Sequence, residues 1–268
     1  MILVSESTIE VMGAQVAVSC AGASLISDGR YDVQLAASAC EVESALRLRF
    51  EVFKVEMASG PTKDETEGLE VDEFDRRCRH LIVVERSTGR TVGTYRLNSV
   101  ASANEMSGFY SFGEFTTEDL PADVLDRGLE IGRACIAADH RNSKVLFLLW
   151  KGLANHLVAE GRRYFFGCCS IFTRDAVVGE RAFRQLAEGG HFHEFIRVEP
   201  RRNALYHGGA DEIHSETVEL PSLFEMYLRI GAKVCGPPMI DDEFGTIDFF
   251  VLFDLERING KYKRMFFG

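Results

Sequence analysis

Positive charge is what this 268-residue chain has too little of: 30 Lys+Arg stand against 41 Asp+Glu, for a formal charge of −11. Nucleic-acid binding runs on clustered Lys and Arg, so that class is excluded as a general function and no nucleic-acid partner is expected. Proline is scarce at six residues, and no low-complexity or repeated tract offers a linker between domains. No apolar run approaches the roughly 18 residues that mark a membrane-spanning helix. The seven cysteines, Cys20, Cys40, Cys78, Cys135, Cys168, Cys169 and Cys235, include no C-x-x-C pair. They read as free thiols of a reducing cytoplasm. The N-terminal stretch carries Glu6 and Glu10 and no basic region, so no secretory signal is expected.

What is present is the make-up of an ordinary folded domain, 46% hydrophobic and 26% charged, rather than of a disordered chain. Residues 1–30 are small, polar and weakly patterned and read as an N-terminal extension; residues 31–268 read as one domain. Tyr31–Ala36 alternates as a short strand, and Val42, Leu46, Phe50 and Phe53 recur at helical spacing with Arg49 bordering the same face. Met57–Val71, with Gly60-Pro61 and Gly68, reads as a loop or lid. His80–Glu85 and Thr91–Leu97 form a predicted hairpin around Ser87-Thr88-Gly89-Arg90. Leu129–Ile136 is a strand, Leu146, Leu149, Leu153 and Leu157 mark a helix ended by Gly161, and Tyr164–Ser170 is a buried strand. Helices near Ala176–Glu188 and Leu220–Ile230, a strand at Thr246–Phe253 and a basic, aromatic tail follow. That order predicts a single mixed α/β (α+β) domain.

Two groups of residues carry chemistry. Glu130 and Arg133 lie three apart on one strand, which would point them to opposite faces. A bulge at Gly132 would bring them together as a proton acceptor and an oxyanion-stabilising guanidinium. Arg49, Phe53, Asp72, Asp75 and Arg96 form the second group. Asp72 and Asp75 sit on one turn, and with the two arginines they can pair or grip an amino acid; helix capping and a surface ion-pair network is the plainer alternative. Cys168-Cys169-Ser170 fits a buried strand better than a nucleophile. His191 and His193 lack a recognisable third ligand, so no metal is expected.

The stretches LRLRFEVFKVEM, VDEFDRRCRHLIVV, VGTYRL, LEIGRACIAADHRNSKVLFLLWKGL, FGCCS and FFVLFDLERINGKY together resemble the ornithine-lipid-type (hemolysin-like) N-acyltransferases, GNAT-fold relatives of the acyl-homoserine-lactone synthases. The likeness runs from about Tyr31 to Tyr262. It implies a GNAT-like domain whose mostly antiparallel sheet splays at a bulged strand, with helices on both faces. It also implies transfer of a fatty, perhaps 3-hydroxylated, acyl group to the α-amino group of an amino acid, ornithine first. Glu130 and Arg133 would be catalytic, and Arg49, Phe53, Asp72, Asp75 and Arg96 would bind substrate.

The donor would be an acyl-phosphopantetheine thioester, with no tightly bound cofactor. Coenzyme A-dependent GNAT enzymes use a glycine-rich loop to cradle a pyrophosphate; here Asp139–Val145 has no glycine. That favours acyl carrier protein as donor and partner over acyl-CoA, with Arg141 and Lys144 holding the single phosphate. An acidic carrier would need a local basic surface on this acidic chain, for which Arg141, Lys144, Arg162-Arg163 and Arg201-Arg202 are candidates. Lys261, Lys263 and Arg264 would give a cytoplasmic protein a peripheral contact with the inner membrane face. An acyl-homoserine-lactone synthase, an acetyl-CoA-dependent GNAT enzyme and a non-catalytic GNAT-like binding module stand as alternatives.

Overall fold

The computed structural model describes residues 24–57, 68–105, 108–202 and 217–267. The expected lid therefore lies largely outside the described residues, as do residues 1–23 of the extension. In chain order the strands are β1 (Ile26–Ser27), β2 (Tyr31–Leu35), β3 (Arg79–Glu85), β4 (Thr91–Ser99), β5 (Phe115–Thr116), β6 (Gly128–Ile136) and β7 (Tyr164–Ile171). They continue with β8 (Glu199–Pro200), β9 (Lys233–Val234), β10 (Met239–Asp241) and β11 (Thr246–Asp254). The helices are α1 (Ala39–Phe50), α2 (Val100–Asn104), α3 (Ala122–Asp126), α4 (Ser143–Ala159), α5 (Ala176–Glu188), α6 (Ser222–Ile230) and α7 (Gly260–Phe267).

One sheet runs in the order β1-β2-β3-β4-β6-β7-β11-β10, with β9 also on β11; β5 and β8 pair separately. Every neighbouring pair is antiparallel except β6 and β7. Alternation along the strands assigns one row of side chains to each face. Tyr95 and Leu97 on β4 turn toward α4, whose Leu149 and Trp150 are buried against the sheet. Arg96 turns to the opposite face, where Arg49 of α1 meets the same Asp75. Helices thus cover both faces.

The α1 helix starts on a capping box, with the Ser38 hydroxyl accepting from Glu41 N at 3.3 Å and Glu41 accepting from Ser38 N at 3.1 Å. The sequence pattern predicts an α-helix through Phe53. Instead α1 ends at Phe50 and widens into a π-helical turn over Glu51–Glu56, the kind of local irregularity that re-aims side chains near functional sites. Val52 is buried there, and Phe53 reaches the central cavity. At the other end of the chain, the expected basic tail is α7. Its Phe266 packs on Phe147 and Trp150, while Lys261, Lys263 and Arg264 stay exposed.

The parallel ladder between β6 and β7 stops at Glu130 and Phe166, although both strands run on to Ile136 and Ile171. Two features mark the fork. On β6, Gly132 pairs with Arg96 and Cys135 with Thr94, so Arg133 and Ala134 stand opposite Tyr95 alone. That is a β-bulge, one residue beyond the expected Gly132, and Arg133 enters it with φ +50°. On β7, Gly167 passes so close to β6 that a Cβ there would lie 2.4 Å from the Ile131 carbonyl oxygen. Only glycine permits that approach.

Candidate active site

Beyond the fork, a cavity of about 170 Å³ runs through the sheet between the separated strands. Its two walls differ in kind because successive strand residues face opposite ways. On the α4 side it is lined by Trp150, Phe165, Phe224, Tyr227 and Phe253. Arg96, Tyr110, Glu130, Arg133 and Asp248 make the other wall. Backbone amides of Ile131–Ala134 and Gly167–Ser170 edge the gap where the ladder has ended. An apolar chain would find its place on the first wall and a zwitterion on the second.

The polar wall rests on a closed set of three guanidiniums and three carboxylates. Arg49, fully buried, reaches Asp75 through two bonds, Nη1 to Oδ1 at 2.6 Å and Nη2 to Oδ2 at 3.0 Å, and also pairs with Glu70. Arg96 Nη1 donates to Asp72 Oδ1 at 2.6 Å and to Asp75 Oδ1 at 3.3 Å. Arg133 donates from Nε to Glu70 Oε1 at 3.1 Å and from Nη2 to Asp72 Oδ2 at 3.0 Å. Its guanidinium also lies 4.3 Å from the Phe244 ring centroid and 4.8 Å from that of Tyr110. Three positive and three negative charges cancel, which is how so many ions tolerate burial. Burial alone would raise the Asp75 carboxyl, but Arg49 and Arg96 outweigh it and hold the group at about 2.

Asp72 and Asp75 do form a cap, the plainer of the two expectations. Asp72 is the N-cap of a short 3₁₀ turn over Glu73–Arg76, and Asp75 Oδ2 accepts from Asp72 N at 2.8 Å. The ion pairs around them are not at the surface, however: the Arg49 and Asp75 side chains are 0% and 4% exposed. Sequence spacing gives no measure of burial, and Glu70, the carboxylate shared by Arg49 and Arg133, was not expected at all. Its position at the end of a glycine-bearing loop offered no periodic signal.

The bulge does put Glu130 and Arg133 on one face, but the Glu130 carboxylate is not free. Oε1 accepts from Ser111 N at 2.8 Å and Ser111 Oγ at 2.6 Å; Oε2 accepts from Tyr110 N at 3.0 Å and Asn98 Nδ2 at 3.3 Å. These bonds tie down the 3₁₀ turn Tyr110–Gly113 and so fix the Tyr110 ring against Arg133. Glu130 is a clamp in this geometry.

The two residues expected at a donor phosphate, Arg141 and Lys144, lie at the start of α4 and outside the cavity lining. Arg141 pairs with Glu56 and Lys144 with Asp28, the latter at 2.6 Å. Asn142 Oδ1 caps the helix, accepting from Lys144 N at 3.0 Å and Val145 N at 3.1 Å. Of the other basic candidates, Arg162, Arg163 and Arg201 likewise pair, with Glu160, Asp254 and Glu118. Cys168 and Cys169 lie in the buried strand as expected, and burial pushes both thiols up. His191 and His193 lie outside the cavity lining, and His193 Nδ1 accepts from Ile196 N at 3.0 Å.

Residues 48–151 match the family described as acetyltransferase (GNAT) domain. An L-ornithine N(alpha)-acyltransferase of Rhodobacter capsulatus is 30% identical over 249 residues, covering 88% of this chain and 94% of that protein. A second, of Brucella abortus, is 31% identical over 246 residues, 87% of this chain and 88% of its own. Among solved structures, the AHL synthase LasI superposes with a TM-score of 0.50 at 14% identity, over 89% of this chain and 95% of that one. That likeness is one of fold.

Proposed function

The chain belongs to the L-ornithine N(alpha)-acyltransferase family of GNAT-fold acyltransferases, and on that footing we propose that it transfers a fatty acyl group to the α-amino group of ornithine. The observation that carries the reading is the two-sided cavity at the fork of β6 and β7. An acyl chain fits against Trp150, Phe165 and Phe224. The amide-bearing phosphopantetheine arm fits the two strand edges, since an extended polar chain pairs with open backbone donors and acceptors. The amino acid comes to the Arg133 side, where this guanidinium keeps donors beyond those spent on Glu70 and Asp72 for a carboxylate.

In the reaction the neutral amine attacks the thioester carbonyl, a C–N bond forms, the C–S bond breaks, and the thiol departs with the amine's proton. An α-amino group with a pKa near 8 is about 90% protonated at pH 7, and one beside a free carboxylate more so, so presenting it neutral costs about 1.4 kcal/mol or somewhat more. That is small against the 8 kcal/mol or more, roughly, that enzymes remove from a barrier. A dedicated base is therefore dispensable, and Glu130 contributes by holding Tyr110 and Ser111 in place. In this reading, backbone N–H groups at the fork, with Arg133, stabilise the developing oxyanion. Arg49, Asp72, Asp75 and Arg96, with Glu70, hold the polar wall rigid; Phe53 closes it from the π-helical turn.

Acyl carrier protein is the donor we favour over coenzyme A, because the start of α4 is capped by a side chain and has no glycine cradle. The Arg141–Glu56 and Lys144–Asp28 pairs are partly exposed, and such pairs exchange partners for about 1 kcal/mol or less. The exposed basic residues of α7 give the proposed cytoplasmic enzyme a membrane-facing side.

The test offers acyl carrier protein and coenzyme A thioesters to the purified protein with a panel of amino acids, and reads products by mass. N-acylornithine from the carrier-protein donor is the expected product. Turnover only with short acyl-CoA, or with no amino acid at all, would overturn the proposal.

A further inference from the structure

Three carboxylates converge at the polar wall without a role in the reaction so far. Oxygens of Glu114, Asp241 and Asp248 lie within 4.8 Å of one another, and the residues are 5%, 9% and 3% exposed. Each comes from a different part of the chain, Glu114 just before β5, Asp241 on β10 and Asp248 on β11. Glu114 Oε2 accepts from the Cys168 thiol at 2.7 Å. Asp241 Oδ1 accepts from Glu243 N at 2.8 Å and Phe244 N at 3.1 Å, and its Oδ2 accepts from the Tyr110 hydroxyl at 3.4 Å. Asp248 stands on β11 opposite Ser170 of β7 and lines the cavity itself.

Two buried side-chain oxygens there have no partner at hydrogen-bond distance, although the Ser170 and Thr246 hydroxyls lie near enough to Asp248 to favour its ionised form. Among the described residues, Asp248 Oδ1 and Thr246 Oγ1 make no hydrogen bond, and both residues line the cavity. Nor does a Lys or Arg reach any of the three carboxylates at ion-pair distance among those residues. Buried acidic groups crowded in this way repel one another, and burial raises them further. The Glu114 carboxyl is pushed up to about 8 by burial and by Asp248, and Asp248, by burial, to about 6. Such a cluster is stabilised by a cation arriving from the cavity.

We infer that Asp248, with Glu114 and Asp241 behind it, binds the side-chain ammonium of the acceptor amino acid and selects a cationic acceptor over an uncharged one of the same length. This assignment rests on the acyl-transfer reading above. An ammonium donating to three oxygens at about 2.8 Å in tetrahedral directions separates them by roughly 4.6 Å, which the cluster's span accommodates. A divalent cation would draw its ligands closer, at about 2.0–2.6 Å from the ion, and would keep several oxygens or waters around it. The fully buried Phe115 and Phe250 pack beside this region and leave an apolar surround.

Tyr110 spans the two ends of the acceptor site. Its ring lies 4.8 Å from the Arg133 guanidinium and its hydroxyl 3.4 Å from Asp241. Anion and cation sites are thus about one aromatic ring apart, a gap that a three-carbon side chain bridges between its α-carbon and its terminal nitrogen.

Acyl transfer to L-ornithine, L-lysine and L-norvaline, the last an uncharged analogue of ornithine, tests the inference first on the unmodified enzyme. A kcat/KM for ornithine at least a hundredfold above that for norvaline is expected. Asp248→Asn should cut the ornithine value at least tenfold, mainly through KM, and bring the ornithine-to-norvaline ratio toward one. Glu114→Gln provides a second variant, and thermal melts check that both fold. Equal use of ornithine and norvaline by the wild type would overturn the ammonium site while leaving acyl transfer standing. Absence of transfer to any amino acid would instead overturn the acyl-transfer reading and this assignment with it. Saturable Mn²⁺ or Ca²⁺ binding that Asp248→Asn abolishes, with ornithine preference intact, would make the cluster a metal site and refute the proposal.

Discussion

Arg49→Gln removes the centre of the buried charge network and leaves both Glu70 and Asp75 short of a partner. Deleting one member of a buried pair costs about 3–5 kcal/mol; because Glu70 keeps Arg133 and Asp75 keeps Arg96, the lower end of that range, about 3 kcal/mol, is expected. That is a large part of the 5–15 kcal/mol, roughly, that holds a domain folded. Asp75 supplies a separable share. Held at about 2 against an ordinary 3.8, its carboxyl contributes about 2 kcal/mol of stability. Because the folded-state value is depressed, that contribution is complete above pH 3.8 and disappears as pH falls through 2. Urea unfolding at intervals from pH 7 to pH 2.5 reads both effects. The variant should show a lower midpoint at an unchanged slope, and the two stability curves should converge toward the acid end. Asp75→Asn added to Arg49→Gln should recover part of the loss, since one under-compensated buried charge is gone. A loss below 1 kcal/mol at pH 7, or parallel curves down to pH 2.5, would refute the claim that this network sustains the polar wall.

Other expectations follow from the same geometry. Gly167→Ala drives a Cβ against the Ile131 carbonyl and should abolish acyl transfer, with a destabilisation of about 2 kcal/mol or more by urea unfolding. Glu114 and Asp248 are raised to about 8 and about 6, so the folded state binds more protons there than the unfolded one. Their contribution is therefore present in acid and lost as pH rises, and the ligand-free melting temperature should fall between pH 5 and pH 8, with a shallower slope in Glu114→Gln. Glu130→Gln should reduce kcat/KM at least tenfold with the pH–rate profile unaltered in shape; loss of its acidic limb would return Glu130 to the role of general base. Reversing Arg141 and Lys144 to Glu should weaken carrier-protein binding at low salt, as measured by titration, and the difference should shrink as salt is added.

Most of the fold follows from local pattern. Leu146, Leu149, Leu153 and Leu157 announce α4, alternation announces β3 and β4, and the run from Tyr164 to Ser170 announces a strand covered on both faces. These signals are legible because burial on one face imposes a period of 3.6 or 2 on the chain itself. That Glu130 and Arg133 share a face was also legible, since a glycine beside them on a strand suggests the bulge that lies one residue further on.

The sequence by itself determined the kind of protein: its mixed α/β architecture and, through a series of motifs in one order, its resemblance to the N-acyltransferases. Tertiary structure alone decided what the charged residues do. Glu130 spends its oxygens on Tyr110, Ser111 and Asn98, Glu70 joins Arg49 to Arg133, and Glu114, Asp241 and Asp248 meet from separate elements. A carboxylate's role is set by which donors surround it and by how far water is excluded. Both depend on residues as many as 134 positions away, from Glu114 to Asp248, and no spacing along the chain encodes either.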